Sequence, residues 1–244
     1  LLDNCLETGN AYGKTALCDG LTAAIKKHEK KTDTLLFLGV DARYMVCEQA
    51  KKAIEVLESA DADFTVLADE PASGAQLDFL IGAANETKEQ MTAAAKVLDT
   101  FKTVVVYDPN DAKALKQLYK EYGVELSCDV VTYTTYVAKL LKDGKLQPKD
   151  TGKTVVFQDP YQLSRDLGET EEPREIIENY AVLGEMLLNR KETMWAGNIL
   201  MAQYLPEVID EVARRRLFNA ESIGATAMVT ASVSEYWALK HVNQ

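Results

Sequence analysis

Cysteine and histidine are scarce in this chain. Its 244 residues hold four cysteines and two histidines. Cys5, Cys18, Cys47 and Cys128 lie far apart and form no CxxC pair. A secreted domain stapled by disulfides would be shorter and denser in cysteine. All four are therefore expected to be free thiols in a reducing cytoplasm, packed in the core or partly exposed. His28 and His241 cannot build a histidine metal site alone and leave little material for a Ser–His–Asp device. Long apolar runs are missing as well. Stretches such as Leu35–Val40 are a few residues long, whereas a spanning helix needs about 20. No direct membrane span is expected, and no signal-peptide pattern stands at the start. Cations are in deficit, with 27 Lys and Arg against 38 Asp and Glu and a formal net charge of −11. Such a surface disfavours nucleic-acid backbones and anionic lipid. The expected location is the cytoplasm, with any membrane association made through a partner. The chain opens on Leu1 rather than Met, so it is expected to be a piece of a longer protein.

What is present is ordinary for a globular protein, 47% hydrophobic and 27% charged, at a length that suits two small domains. Strand-like and helix-like segments alternate. Thr34–Val40 is a short apolar run of strand type, and Met45–Leu57 follows with Val46, Ala50, Ala53, Ile54 and Leu57 on one helical face. Strands are expected at Phe64–Leu67, Thr103–Tyr107 and Val124–Leu126. Helices are expected at Glu86–Phe101, Asp111–Tyr122 (capped by Asn110 or Asp108) and Thr134–Lys142. Gly144–Gly152 is a polar joint, after which the rhythm restarts. The second half predicts strands at Thr154–Gln158, Leu183–Leu188 and Ala227–Thr230. Its helices are expected at Glu172–Asn179, with Pro173 in the first turn, and at Pro206–Ile223 and Ser234–Lys240. This alternation argues for an α/β fold with a mainly parallel sheet. Three parts follow: an N-terminal segment 1–33, a first domain 34–148 and a second domain 149–244. The shared order of elements suggests an internal duplication, although the second half lacks a counterpart to Val124–Lys142.

The segment Gln158–Ile176 reads QDPYQLSRDLGETEEPREI. It resembles the HDPCxLxRxLGxxxEPRxI stretch of the cysteine-rich "CCG" domain family. That family includes heterodisulfide reductase subunits B and D, the anaerobic glycerol-3-phosphate dehydrogenase C subunit, and the iron–sulfur subunits of lactate and glycolate oxidation. Asp159, Pro160, Leu163, Arg165, Gly168, Glu172, Pro173 and Arg174 all fall in place. Ala213–Ala225, Ala227–Leu239 and the first half from LFLGV to VVVYDPNDAKALKQLY are similar as well. Thr8–Gly13 (TGNAYG) looks like the TGNPxG link that follows a ferredoxin domain in longer members. The resemblance covers nearly the whole chain. It implies two similar CCG-type α/β halves related by pseudo-twofold symmetry.

In the family, each half binds its cluster through one early cysteine, a Cys-Cys-Gly and a CPxC loop. The matching positions of the first half are Val40, Ala72-Ser73-Gly74 and Asp108-Pro109-Asn110-Asp111. Those of the second are Tyr161, Trp195-Ala196-Gly197 and Ser232-Val233-Ser234-Glu235. The glycines remain and the thiolates do not. Iron–sulfur clusters need thiolates, with occasional imidazole, so neither family-type cluster is expected in this chain. Asp108, Asp111, Ser232 and Glu235 carry oxygen ligands, which suit hard cations. The plainer reading is that Asp108 caps the following helix and Asp111 decorates its first turn, and no metal is expected. Tyr161 and Trp195 are expected to fill the space left by a cluster, or else to line a small-molecule pocket. Arg165 and Arg174 are expected to pair with nearby carboxylates or to bind an anion, in a structural or docking role rather than in cluster chemistry. Arg214–Arg216 are expected to be exposed or ion-paired, and Lys26–Lys31 a solvated surface.

The resemblance implies a subunit of an anaerobic electron-transfer complex of the heterodisulfide-reductase type. The missing ligands imply a non-redox, non-catalytic structural or docking role, beside partner redox subunits that carry iron–sulfur clusters and flavin. Two other readings stand beside it. The former cluster pocket is reused for a metabolite or hard metal, or an upstream ferredoxin domain makes the full protein an electron carrier.

Overall fold

The computed structural model describes residues 1–18 and 20–243, which form an α/β protein on two three-stranded parallel sheets. The chain divides into two compact units, Leu1–Tyr133 and Thr134–Gln244.

In the first unit the β-branched and apolar runs make β1 (Thr34–Phe37), β2 (Thr103–Val106) and β3 (Asp129–Thr132). β1 and β2 pair in register Thr34↔Thr103 to Phe37↔Val106, and β3 adds beyond β2. Leu35–Phe37 and Val104–Val106 are all buried, as expected of central parallel strands covered by helices. The helices are α1 (Leu2–Thr8), α2 (Leu21–His28), α3 (Val40–Tyr44), α4 (Cys47–Ser59), α5 (Ala75–Ile81), α6 (Asn85–Leu98) and α7 (Pro109–Lys113). α7 continues through a π-helical turn, Ala114–Leu118, into α8 (Tyr119–Glu121). α9 (Tyr133–Lys142) begins where the units divide. The Thr134 and Thr135 hydroxyls donate to Glu169 and Lys142 pairs with Glu175, so this helix is tied to the second unit.

The second unit contains β4 (Thr154–Gln158), α10 (Glu172–Glu178), β5 (Val182–Gly184), α11 (Ile199–Ala202), α12 (Pro206–Glu221), β6 (Ala227–Thr230) and α13 (Val233–Val242). β4 is central, with β5 on one side and β6 on the other.

The two units share a strand order. In the first, the segment at Thr65 bridges Leu35 on the side of β1 away from β2. The chain thus leaves the first strand, runs along one side of it and returns on the other, as it does around β4. In open parallel sheets the crevice lies where the order reverses, at the carboxyl ends of the strands. That places one crevice after β1 and β2, and one after β4 and β6.

Several expectations are corrected. The strand expected at Val124–Leu126 lies instead at Asp129–Thr132, where β-branched Val130, Val131 and Thr132 fit the pleat. Phe64–Leu67 gives one bridge at Thr65 rather than a full strand, and Leu183–Leu188 stays extended only to Gly184. The cysteines are not all free. Cys18 and Cys47 form a disulfide with Cα atoms 5.8 Å apart, while Cys5 and Cys128 are free. A separation of 29 residues conceals this pairing, because only the fold brings the N-terminal segment back to the start of α4. Arg216 is neither exposed nor paired along its helix but fully buried.

Candidate functional site

The first crevice is framed by backbone. β1 ends in Leu38-Gly39, and Gly39 has φ +83, which only glycine adopts freely. A side chain there would also collide with Asp111 Oδ2. The Glu70 carboxylate accepts from the Leu38 and Gly39 amides, each at 2.8 Å. Arg43 donates to the Leu67 and Ala68 carbonyls at 2.9 and 2.5 Å and stands 4.0 Å from Glu70. These bonds lay the loop carrying Ala72-Ser73-Gly74 across the end of β1. Asp108 caps α7 by accepting from the Asn110 amide at 2.8 Å. One turn on, Asp111 accepts a 2.5 Å hydrogen bond from Ser73 Oγ. Val40 and Ala72 are half-buried, while Ser73, Asp108 and Asp111 are buried.

Burial pushes the Asp111 carboxyl well above its ordinary range. Neighbouring Asp108, Asp41 and Glu70 add to the rise, and the Ser73 bond opposes it. Glu70 is raised by burial too, despite Arg43 and its two amide bonds. The N-terminal segment also reaches this crevice. Tyr12 Oη donates to Asp41 at 2.6 Å, and Gln76 Nε2 donates to the same oxygen at 2.8 Å. The Ala11 amide donates to Gln76 Oε1 at 2.8 Å. The Tyr12 phenol is raised by burial and by the carboxylates at Asp41, Asp108 and Asp111.

The second crevice repeats the frame with other side chains. Asp159, just after β4, accepts from both Arg174 Nη atoms at 2.7 and 2.9 Å and from the Arg190 amide at 2.8 Å. Arg174 also pairs with Glu185 at 2.7 Å. Arg165 donates to the Lys191 and Thr193 carbonyls. These bonds hold the loop leading to Trp195-Ala196-Gly197. Ser232 caps α13 through the Glu235 amide. Glu235 is buried and accepts from the Ala196 amide at 3.1 Å and from Gln158 Nε2 at 3.3 Å. Arg216 Nε donates to Gln158 Oε1, and its Nη atoms donate to the Leu187 and Leu188 carbonyls at 3.0 Å each. Burial pushes Glu235 up to about 8 against the pull of Ala196, Gln158 and Arg216. Tyr161 and Trp195 are half-buried rather than enclosed. Trp195 packs against the cluster of Ala196, Ile209, Ala213, Ala238 and Leu239.

Two of the positions named from the sequence therefore meet in each unit. Ser73 contacts Asp111, Ala196 contacts Glu235, and Asp108 and Ser232 begin the matching helices. The positions expected as ligands do not fit an iron–sulfur cluster, because none offers sulfur and the last of each set is a hydrogen-bonded carboxyl. Among the described residues, no group of three or more His, Cys, Asp and Glu is arranged to hold a metal ion. No described helix is long and apolar enough to cross a membrane.

Sequence reasoning missed Glu70, Gln158 and Arg216. Glu70 had no detectable signal. Arg216 had one, since it continues the buried stripe of Ile209, Ala213 and Ala220 on α12. Comparison with known proteins finds no family model that matches the chain and no curated protein similar to it.

Proposed function

We propose that this chain is a non-redox docking subunit of an electron-transfer complex of the heterodisulfide-reductase type. It holds partner subunits that carry iron–sulfur clusters and flavin. Its two units are copies of a CCG-type module related by pseudo-twofold symmetry. It works in the cytoplasm, and any membrane contact belongs to a partner. One observation supports this reading: in each unit two of the positions expected as ligands meet beside the switch point of the sheet, Ser73 with Asp111 and Ala196 with Glu235, and the carboxyl there is buried. A frame kept without its chemistry is best used as a surface. Support comes from apolar side chains left in solvent on the second unit, with Leu187 80% and Phe218 66% exposed. They line a groove of about 440 Å³ with Leu188, Met194, Arg214 and Arg215. Apolar patches rimmed by polar groups mark interaction sites.

The test is light scattering and metal and flavin analysis on material isolated from its native source, with Leu187→Asp and Phe218→Asp as controls. The expected result is a complex that contains iron and flavin in other subunits and that the double substitution breaks. A lone monomer without redox partners would overturn the proposal and favour reuse of the crevice for a metabolite.

A further inference from the structure

We propose that the Cys18–Cys47 bond is a reversible thiol–disulfide strap that fastens the N-terminal segment over the first crevice. The inference is independent of the docking role. Asn10 and Ala11 are fully buried, and Asn10 organises the turn by donating to the Lys14 carbonyl and accepting from the Tyr12 and Lys14 amides. Tyr12 then enters the carboxylate cluster through Asp41. Beyond it the attachment thins. Residues 13–16 are exposed, and Lys14 Nζ reaches the Tyr44 carbonyl at 2.8 Å from the surface. Past this stretch the covalent bond to Cys47 closes the strap. The bond thus lies beside the crevice wall, one turn after Arg43, whose guanidinium holds the loop that leads to Ser73.

The two sulfurs differ in a way that suits exchange. Cys18 is half-buried, whereas Cys47 is buried as the first residue of the 13-residue helix α4. The positive end of a helix favours a departing thiolate. A dithiol reductant would attack Cys18 Sγ through one thiolate, form a mixed disulfide with it and expel Cys47 as thiolate. Its second thiol would then attack the reductant's own sulfur in that mixed disulfide, releasing Cys18. The reductant leaves as a disulfide, and two electrons and two protons have passed to the cysteines. The strap then keeps only its non-covalent ties, so the segment over Asp41 and Asp111 opens more often.

The experiment uses the whole chain. Alkylation in denaturant should count two thiols before reduction, Cys5 and Cys128, and four after treatment of the native protein with dithiothreitol. Hydrogen exchange of amides in residues 10–18 should quicken by about tenfold on reduction, the behaviour of a segment freed to open locally. Cys18→Ser should show the fast exchange without reductant, while α6 and β2 stay unchanged. Any of three results overturns the proposal: four thiols before reduction, a bond that dithiothreitol reaches only in denaturant, or exchange in residues 10–18 that reduction does not alter. Cys47→Ser repeats the comparison should Cys18→Ser fold poorly.

Discussion

Asp111 in the first unit and Glu235 in the second occupy the same point of two similar frames, yet each is satisfied in its own way. The first unit uses a short side chain and brings a hydroxyl to it, Ser73. The second uses a carboxyl one methylene longer, which reaches the Ala196 backbone amide and also accepts a longer hydrogen bond from the Thr230 hydroxyl. The first carboxyl sits among other carboxylates, with Arg43 turned to the Leu67 and Ala68 carbonyls. The second is steadied by a buried cation one residue removed, since Arg216 holds Gln158 and Gln158 holds Glu235. What the two share is a glycine turn, a capped helix start and an acid held near its neutral form. Either pair of side chains closes the frame, so the backbone is the common element.

The largest effect that would break this comparison is expected at Arg216. Arg216→Ala removes the donors to Gln158, Leu187 and Leu188 inside the core. It should cost about 3–5 kcal/mol in urea unfolding, as other broken buried polar networks do. The glycines come next. A Cβ at Gly197 would stand 2.6 Å from Ala238 Cβ at φ +125, whereas at Gly74 it meets the flexible Met91 side chain at 2.7 Å and φ +88. Gly197→Ala should therefore cost about 4 kcal/mol and Gly74→Ala about 2, measured by the same method. Equal losses would show that the two turns are not built to different tolerances.

The acids set a pH dependence. Between its ordinary 4.5 and about 8, folded Glu235 keeps a proton that the unfolded chain releases. Stability should therefore fall as pH rises through that window, by up to about 1.4 kcal/mol per unit. Glu235→Gln should remove this slope, and Asp111→Asn should remove the share that Asp111 contributes. Urea midpoints from pH 5 to 9 check both; an unchanged slope in Glu235→Gln would mean that the acid is not held protonated. The last effect is the most specific. Ser73→Ala should cost about 1–3 kcal/mol, because it leaves Asp111 without its hydroxyl partner. Adding Asp111→Glu to Ser73→Ala imports the second unit's pairing into the first and should recover part of the loss. A double-mutant cycle with no coupling would sever the analogy between the crevices.

The fold was largely legible because its strands are short apolar runs and its long helices carry periodic faces. β1, β2, β4 and β6 fall where TLLF, TVVV, TVVFQ and AMVT stand. β3 was misplaced because GVELSCDVVT holds two short apolar stretches, and pairing with β2 chooses between them. At the site, Asp108 was readable as a cap and Asp111 as a residue of the following turn. Their burial was not, because an acid at a helix start reads as solvated until the partner loop is seen to lie on it. The Cys18–Cys47 bond was invisible for the same reason, since it depends on a chain reversal that spacing does not encode.

The central proposal is that each crevice is closed by a carboxyl at a position where a CCG-type module would need a thiolate. Anaerobic reconstitution of the purified chain with iron and sulfide, followed by iron analysis and visible absorbance, tests it most directly. The expected result is a colourless protein with no retained iron after desalting, for wild type and Glu235→Gln alike. Stoichiometric, stably bound cluster in the wild-type chain would contradict it.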